Sequence, residues 1–296
     1  MSEPQTRQFV HDEQRLVYDD YGEGRRTVVL MPGLLLSRKM QDPLARVLAE
    51  RGYRVISFDP LGHGESDRPR DMWRYAMPIF AEQVVALLDH LQVEEAVVGG
   101  TSLGANITLE AAVCAPERMR GLVVEMPVLD NALPACAVAF TPLLLALTFG
   151  APVTKLVASG ARRVPRGLNN LLDVVLDAVS QDPGPSGAVL QGIFFGRVAP
   201  PRSERRTIKA KTLVIGHPRD PIHPFSDSDM LVRELQDARL VQASSVLELR
   251  LTPERLTGEI ASFVDECWAR KRTGHGEAQR GSSRSQRRTA PDRRPT

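Results

Sequence analysis

The chain is poor in the features that mark several protein classes. Its three cysteines, Cys114, Cys136 and Cys267, are widely spaced with no CxxC pair. An odd set of this kind supports neither a disulfide framework nor a structural zinc site, and fits reduced thiols in a cytoplasmic protein. The first residues, MSEPQTRQFVHDEQ, include no apolar run, so the expectation is a chain without a secretory leader. Charge of one sign is also scarce in the body. The net charge is +2, but eight Lys/Arg against two carboxylates fall from Lys271 onward, leaving about −4 for the rest. A mildly acidic body does not suggest a nucleic-acid-binding surface, and no nucleic-acid partner is expected. Histidine is scarce near the end: beyond His223 only His275 remains.

What is present alternates. A hairpin is expected over residues 7–20, turning at Asp12-Glu13, and further strands at 27–31, 54–58, 96–98, 119–125, 211–216 and 239–243. Helical spacing separates them at 39–51, 79–91, 105–115 and 253–268. This order predicts an α/β protein with a mostly parallel, eight-stranded sheet covered by helices on both faces. Ligands in such sheets bind beyond the carboxyl ends of the strands.

Residues 131–206 interrupt the alternation with helix-like sequence and no clear strand. They are expected to form a helical cap (lid) between two parts of the core, 1–130 and 207–272. Residues 131–154 contain no charge. Their length matches a membrane span, but Pro134, Pro142, Gly150 and Pro152 interrupt it, and a span here would place the two parts of the sheet on opposite sides of a bilayer. No membrane span is therefore expected. A cap helix forming an apolar pocket wall and association with a membrane surface both stay open. Residues 273–296 are Gly, Ser, Arg, Gln and Pro with almost no apolar side chains, the composition of a disordered basic tail.

The chemistry concentrates at Gly100-Thr101-Ser102-Leu103-Gly104, between a β-branched run and a helix. A strand turning abruptly into a helix forces the turn residue into a strained conformation with its side chain out. The residues two away must then be small. Two more stretches follow strands: Asp59-x-x-Gly62-x-Gly64-x-Ser66, and Gly216-His217-Pro218-Arg219-Asp220-Pro221-Ile222-His223-Pro224. In the second, His217, Asp220 and His223 have a metal-like spacing. Three prolines forbid a helical ligand face, however, so no metal is expected there.

In this order the three stretches resemble the α/β-hydrolase superfamily over roughly residues 7–268. The resemblance implies the α/β-hydrolase fold and a capped serine hydrolase that needs no cofactor. Ser102 matches the nucleophile in the nucleophile elbow, and Asp220 matches the acid. Met31-Pro32-Gly33-Leu34 matches the loop that completes the oxyanion hole, with Leu34 and Leu103 as backbone donors. The family uses the Asp59 turn for backbone geometry, which argues against a catalytic His63.

The chain departs from the family at the base. The family's histidine follows the last strand, where this chain reads Ala243-Ser244-Ser245-Val246-Leu247-Glu248-Leu249-Arg250. Serine is a weak nucleophile without a base. Four assignments compete: His223, on the same loop as Asp220; Glu248, at the vacant position, unless it pairs with Arg250; His217 or His275; or no base at all. The first three lead to hydrolysis of a small or medium apolar ester or related acyl substrate through a Ser102 acyl-enzyme. The last leads to a small-molecule binding or sensor protein on the same fold.

Overall fold

The computed structural model describes residues 3–167 and 169–269. Eight strands make one sheet: β1 (Gln5–His11), β2 (Gln14–Tyr21), β3 (Thr27–Met31), β4 (Arg54–Asp59), β5 (Ala96–Thr101), β6 (Met119–Glu125), β7 (Thr212–Gly216) and β8 (Ala238–Gln242). Their order across the sheet is β1-β2-β4-β3-β5-β6-β7-β8. Only β2 runs against its neighbours; every pair from β4 to β8 is parallel. The expected α/β architecture with a mostly parallel eight-stranded sheet is thus observed.

The central strands carry apolar or small residues at successive positions because both faces are covered. Every residue of β3, β5 and β7 is buried. Helices α1 (Asp42–Glu50), α2 (Met77–His90) and α3 (Leu103–Cys114) follow β3, β4 and β5 in turn. Among the described residues between β6 and β7 lie five helices and no strand: α4 (Leu133–Phe149), α5 (Ala151–Arg162), α6 (Asn170–Val179), α7 (Pro183–Phe195) and the short α8 (Arg202–Arg205). The last three are α9 (Phe225–Glu234), the one-turn α10 (Glu248–Leu251) and α11 (Glu254–Ala269). Side chains of α2, α3 and α9 pack in one core cluster, and those of α1 and α11 in the cluster on the other face. The proposed tail, 273–296, lies outside the described residues.

Two side chains tie the helical insertion to the sheet. Asp227 on α9 accepts the backbone N–H groups of Leu129, Asn131 and Ala132 at 2.8–3.0 Å, where the chain leaves β6. Asn106 on α3 donates to the carbonyls of Val128 and Val198 at 2.8 and 2.7 Å and accepts from Val128 N–H. One buried amide therefore bonds both ends of the insertion to the helix that follows β5. Its polar atoms are satisfied, as burial requires.

Candidate active site

The turn from β5 into α3 has the strained geometry expected from the sequence. Ser102 stands at φ 54°, ψ −109°, outside the regions that non-glycine residues normally occupy. The flanking glycines follow from close packing. A Cβ on Gly100 would meet the Gly104 backbone at 2.5 Å, and one on Gly104 would meet the Met31 carbonyl at 2.7 Å. The first would push α3 away from β5, and the second would push the elbow off the β3 loop.

Ser102 Oγ lies 2.9 Å from His223 Nε2, and His223 Nδ1 lies 2.8 Å from Asp220 Oδ2. An ionised carboxylate only accepts, so Nδ1 carries the proton and Nε2 is free to accept from the serine hydroxyl. The short loop achieves this because Asp220 organises it. Its Oδ1 accepts from the backbone N–H of Ile222 and His223 at 2.8 and 3.0 Å, an Asx-type turn that brings the ring three residues on back over the carboxylate. Burial acts to raise the Asp220 pKa. The His223 ring and the two backbone N–H groups outweigh it and hold the group at about 2.

The other assignments for the base are placed elsewhere. Glu248 is buried, with its carboxylate engaged by Arg255 at 2.8 and 2.9 Å and by the Ser244 hydroxyl at 2.6 Å. The Arg255 hydrogen bond is the main reason its pKa falls to about 2. A carboxylate so held is a poor base and has no contact with Ser102. The pairing of Glu248 with Arg250 considered above does not form, because Arg250 is directed at Glu125. Glu248→Gln is expected to leave Ser102 reactivity within about twofold while lowering stability by about 1–3 kcal/mol. Parallel labelling and thermal melts check this, and a loss of labelling in a folded variant would contradict it. His63 is fully buried, bonded through Nδ1 to the Leu61 carbonyl, and burial lowers its pKa to about 4. His275 lies outside the described residues.

His217 belongs to a network that the sequence did not reveal. Glu125, the last residue of β6, is buried between three partners. Arg250 Nη2 lies 2.9 Å from its Oε2, the Thr101 hydroxyl bonds the same oxygen, and His217 Nε2 lies 3.3 Å from Oε1. Arg250 also donates to Thr101 at 2.9 Å, and His217 Nδ1 lies 2.8 Å from the Ser245 carbonyl. Burial alone would raise the Glu125 pKa, but Arg250, His217 and Thr101 bring it down to about 2. For His217, burial lowers the pKa and Glu125 more than reverses it, so the net shift is upward. The backbone N–H of Ser102 donates to the Glu125 carbonyl at 2.8 Å, which places this network directly behind the elbow. The loop after β8, where a histidine was expected, thus sends an arginine to the carboxyl edge of the sheet.

In front of Ser102 a cavity of about 250 Å3 opens between the sheet and the insertion. Its floor includes Leu34, Leu103 and Asn106, and its walls include Leu133, Cys136, Ala137 and Phe140 of α4 and Leu190, Ile193 and Phe194 of α7. The lining is almost wholly apolar. Leu34 follows Gly33 in a turn closed by Leu36 N–H donating to the Gly33 carbonyl at 3.1 Å. Leu34 and Leu103 both line the cavity together with Ser102. Among the described residues no group of His, Cys, Asp and Glu could hold a metal ion.

A strained serine between a parallel strand and a helix, at the mouth of an apolar cavity under a helical insertion, defines a class of protein. The chain has the α/β-hydrolase fold. The profile of the alpha/beta hydrolase fold matches residues 26–150. The AB hydrolase superfamily protein YisY of Bacillus subtilis (strain 168) is 29% identical over 246 residues, spanning 76% of this chain and 85% of that protein. A shorter stretch, 71 residues or 24% of this chain and 25% of the relative, is 42% identical to 2-hydroxymuconate semialdehyde hydrolase of Pseudomonas sp. (strain CF600). Among solved structures, the enol-lactonase of Burkholderia xenovorans LB400 superposes with a TM-score of 0.72 at 21% identity, covering 88% of this chain and all (100%) of that one. At that identity the likeness speaks for the fold alone.

Proposed function

We propose that the protein is a serine hydrolase of small or medium apolar esters, lactones or related acyl compounds. The observation that carries this reading is the continuous relay Ser102 Oγ–His223 Nε2/Nδ1–Asp220, at 2.9 and 2.8 Å, opening onto an apolar cavity. In the proposed reaction His223 Nε2 takes the hydroxyl proton as Ser102 Oγ attacks the acyl carbon. Asp220 fixes the ring through Nδ1–H and stabilises the imidazolium that forms. The backbone N–H groups of Leu103, at the start of α3, and Leu34 receive the oxyanion. Two such donors in a water-poor site contribute several kcal/mol to the transition state. His223 then passes the proton to the leaving oxygen, giving the acyl-enzyme and a free alcohol. Water, deprotonated by the same ring, releases the acid and restores Ser102.

The helices between β6 and β7 act in this scheme as the cap, and their side chains select the acyl group. An apolar pocket with few polar anchors suits a hydrophobic acyl or alcohol portion. The similarity to a relative named 2-hydroxymuconate semialdehyde hydrolase agrees with the class of reaction proposed. No cofactor takes part in the scheme.

The test is labelling of the purified protein with a fluorophosphonate, together with turnover of a panel of p-nitrophenyl esters of increasing chain length. Covalent modification at Ser102 with ester turnover is the expected result. A folded protein that neither labels nor turns over any ester would instead favour the small-molecule binding or sensor role.

A further inference from the structure

We propose that the cap is also a docking surface for an anionic lipid bilayer, formed by the outward faces of α4 and α5. A helix at a protein surface ordinarily shows an apolar stripe to the core and polar residues to water. Helix α4 does not. It has no charged residue in its 17 and no fully buried residue. One side lines the cavity through Leu133, Cys136, Ala137 and Phe140. The side facing water presents Val138, Leu145 and Phe149, which share one helical face and are 78, 51 and 78% exposed. Closing the pocket requires only the first side. The second is apolar without a partner among the described residues.

Helix α5 continues the pattern after a bend of 99°. Val153, Leu156 and Val157 are 66, 73 and 54% exposed. Among them and just beyond stand Lys155, Arg162 and Arg163, all exposed. From Asn131 to Leu172 the chain has four cations, the fourth being Arg166, and no carboxylate. The next carboxylates along the chain are already engaged: Asp173 accepts the Gly167 N–H, Asp177 pairs with Lys39 and Arg166, and Asp182 pairs with Arg70. No single described helix is long and apolar enough to cross a membrane, and the bend interrupts the pair. An exposed apolar face on α4 and α5, with cations on and at the end of α5 and no single spanning helix, is the composition of an interfacial element that lies in the headgroup layer.

Charge decides between a bilayer and a second copy of the chain. In a two-fold dimer the same patch meets itself, so cations would face cations. An anionic bilayer supplies the complementary sign. Docked this way, α4 would touch lipid on one side and the Ser102 cavity on the other, giving apolar molecules a short path from membrane to pocket. The docking does not depend on the proposed hydrolysis, and its test reads binding alone.

The experiment is co-sedimentation of the full chain with vesicles of phosphatidylcholine, with and without phosphatidylserine. Two surface variants are run beside the wild type: Leu145→Ser/Phe149→Ser/Leu156→Ser, and Lys155→Gln/Arg162→Gln/Arg163→Gln. Each surface cation contributes about fivefold to attraction by an anionic membrane. Wild type should therefore bind the phosphatidylserine vesicles, and each variant should bind at least about tenfold more weakly. The Arg-rich segment after residue 270 is unchanged throughout, so equal binding by all three proteins would assign the attraction elsewhere and overturn the proposal. Absence of wild-type binding would overturn it too. A wild-type dimer that the apolar variant dissociates in sedimentation velocity, with no vesicle binding, would assign the patch to a second copy. If the apolar variant misfolds, the charge variant, which alters only exposed side chains, still decides the matter.

Discussion

Replacing His223 by alanine is expected to lower kcat/KM for ester hydrolysis by about 10^4-fold, chiefly through kcat. The residue touches the serine oxygen and not the bulk of the cavity, so ground-state binding should change little. Without the ring, Ser102 keeps its place in the elbow but has no acceptor for its proton. Ser102→Ala should cost at least as much, and the double variant little more than either single one, because the two act as a unit. Asp220→Asn should leave the loop folded but favour the wrong ring tautomer, with a loss of similar order. Steady-state kinetics on the preferred ester, with fluorophosphonate labelling of each variant, makes the comparison. A His223→Ala enzyme within tenfold of wild type would show that proton transfer runs through another group.

The second large effect is on stability, and it concerns Arg250. Its guanidinium is the principal counter-charge to Glu125, and both side chains are almost entirely buried. Arg250→Met should destabilise the protein by about 3–5 kcal/mol, since it leaves a buried carboxylate without its main partner. A double variant, Glu125→Leu/Arg250→Met, should recover much of that loss, because it removes the orphaned charge as well. Urea unfolding of the three proteins measures this. A cost below about 1 kcal/mol for Arg250→Met would mean that Thr101 and His217 suffice for Glu125.

This network and the Asp220 loop together set the response to pH. Glu125 and Asp220 have folded-state pKa values near 2, below the usual 4.5 and 3.8. Depressed carboxylates contribute stability that is fully present above their ordinary pKa and lost as pH falls toward the folded value. Wild type should therefore lose a few kcal/mol between about pH 4.5 and 2. His217 has the opposite sign. Its raised pKa stabilises the fold below about pH 6.5, and that contribution fades as pH rises through the folded value. In Arg250→Met the Glu125 pKa should rise, moving acid unfolding to higher pH.

Glu125 also shows how a structural residue can reach the chemistry. Its carbonyl receives the Ser102 N–H, and its carboxylate holds the neighbouring Thr101 hydroxyl. Loosening the network would shift a strained turn that has few alternative conformations, so part of any activity loss in Arg250→Met should come from misplacement of Oγ.

The legible part of this protein was local. Alternating apolar runs and helical spacings gave all eight strands to within a few residues, because a parallel sheet buried on both faces demands continuous apolar segments. The elbow at Ser102 was legible because its glycines answer to backbone clearance, a constraint acting over a few residues. Strand signals cease over 131–206, and the described residues there form helices. The base was not legible. His223 and Glu248 both followed strands and both lay near the expected edge of the sheet. Only the Asx turn at Asp220 brings one imidazole 2.9 Å from Ser102 Oγ, and only Arg255 holds the other candidate apart. The Glu125–Arg250–His217 network was hidden altogether, since its members lie on β6, after β8 and after β7. Sequence determined which segments would be strands, helices and the elbow, because those follow from neighbours along the chain. Which charges meet in the interior depends on distances across the sheet, and these exist only once the strands have paired.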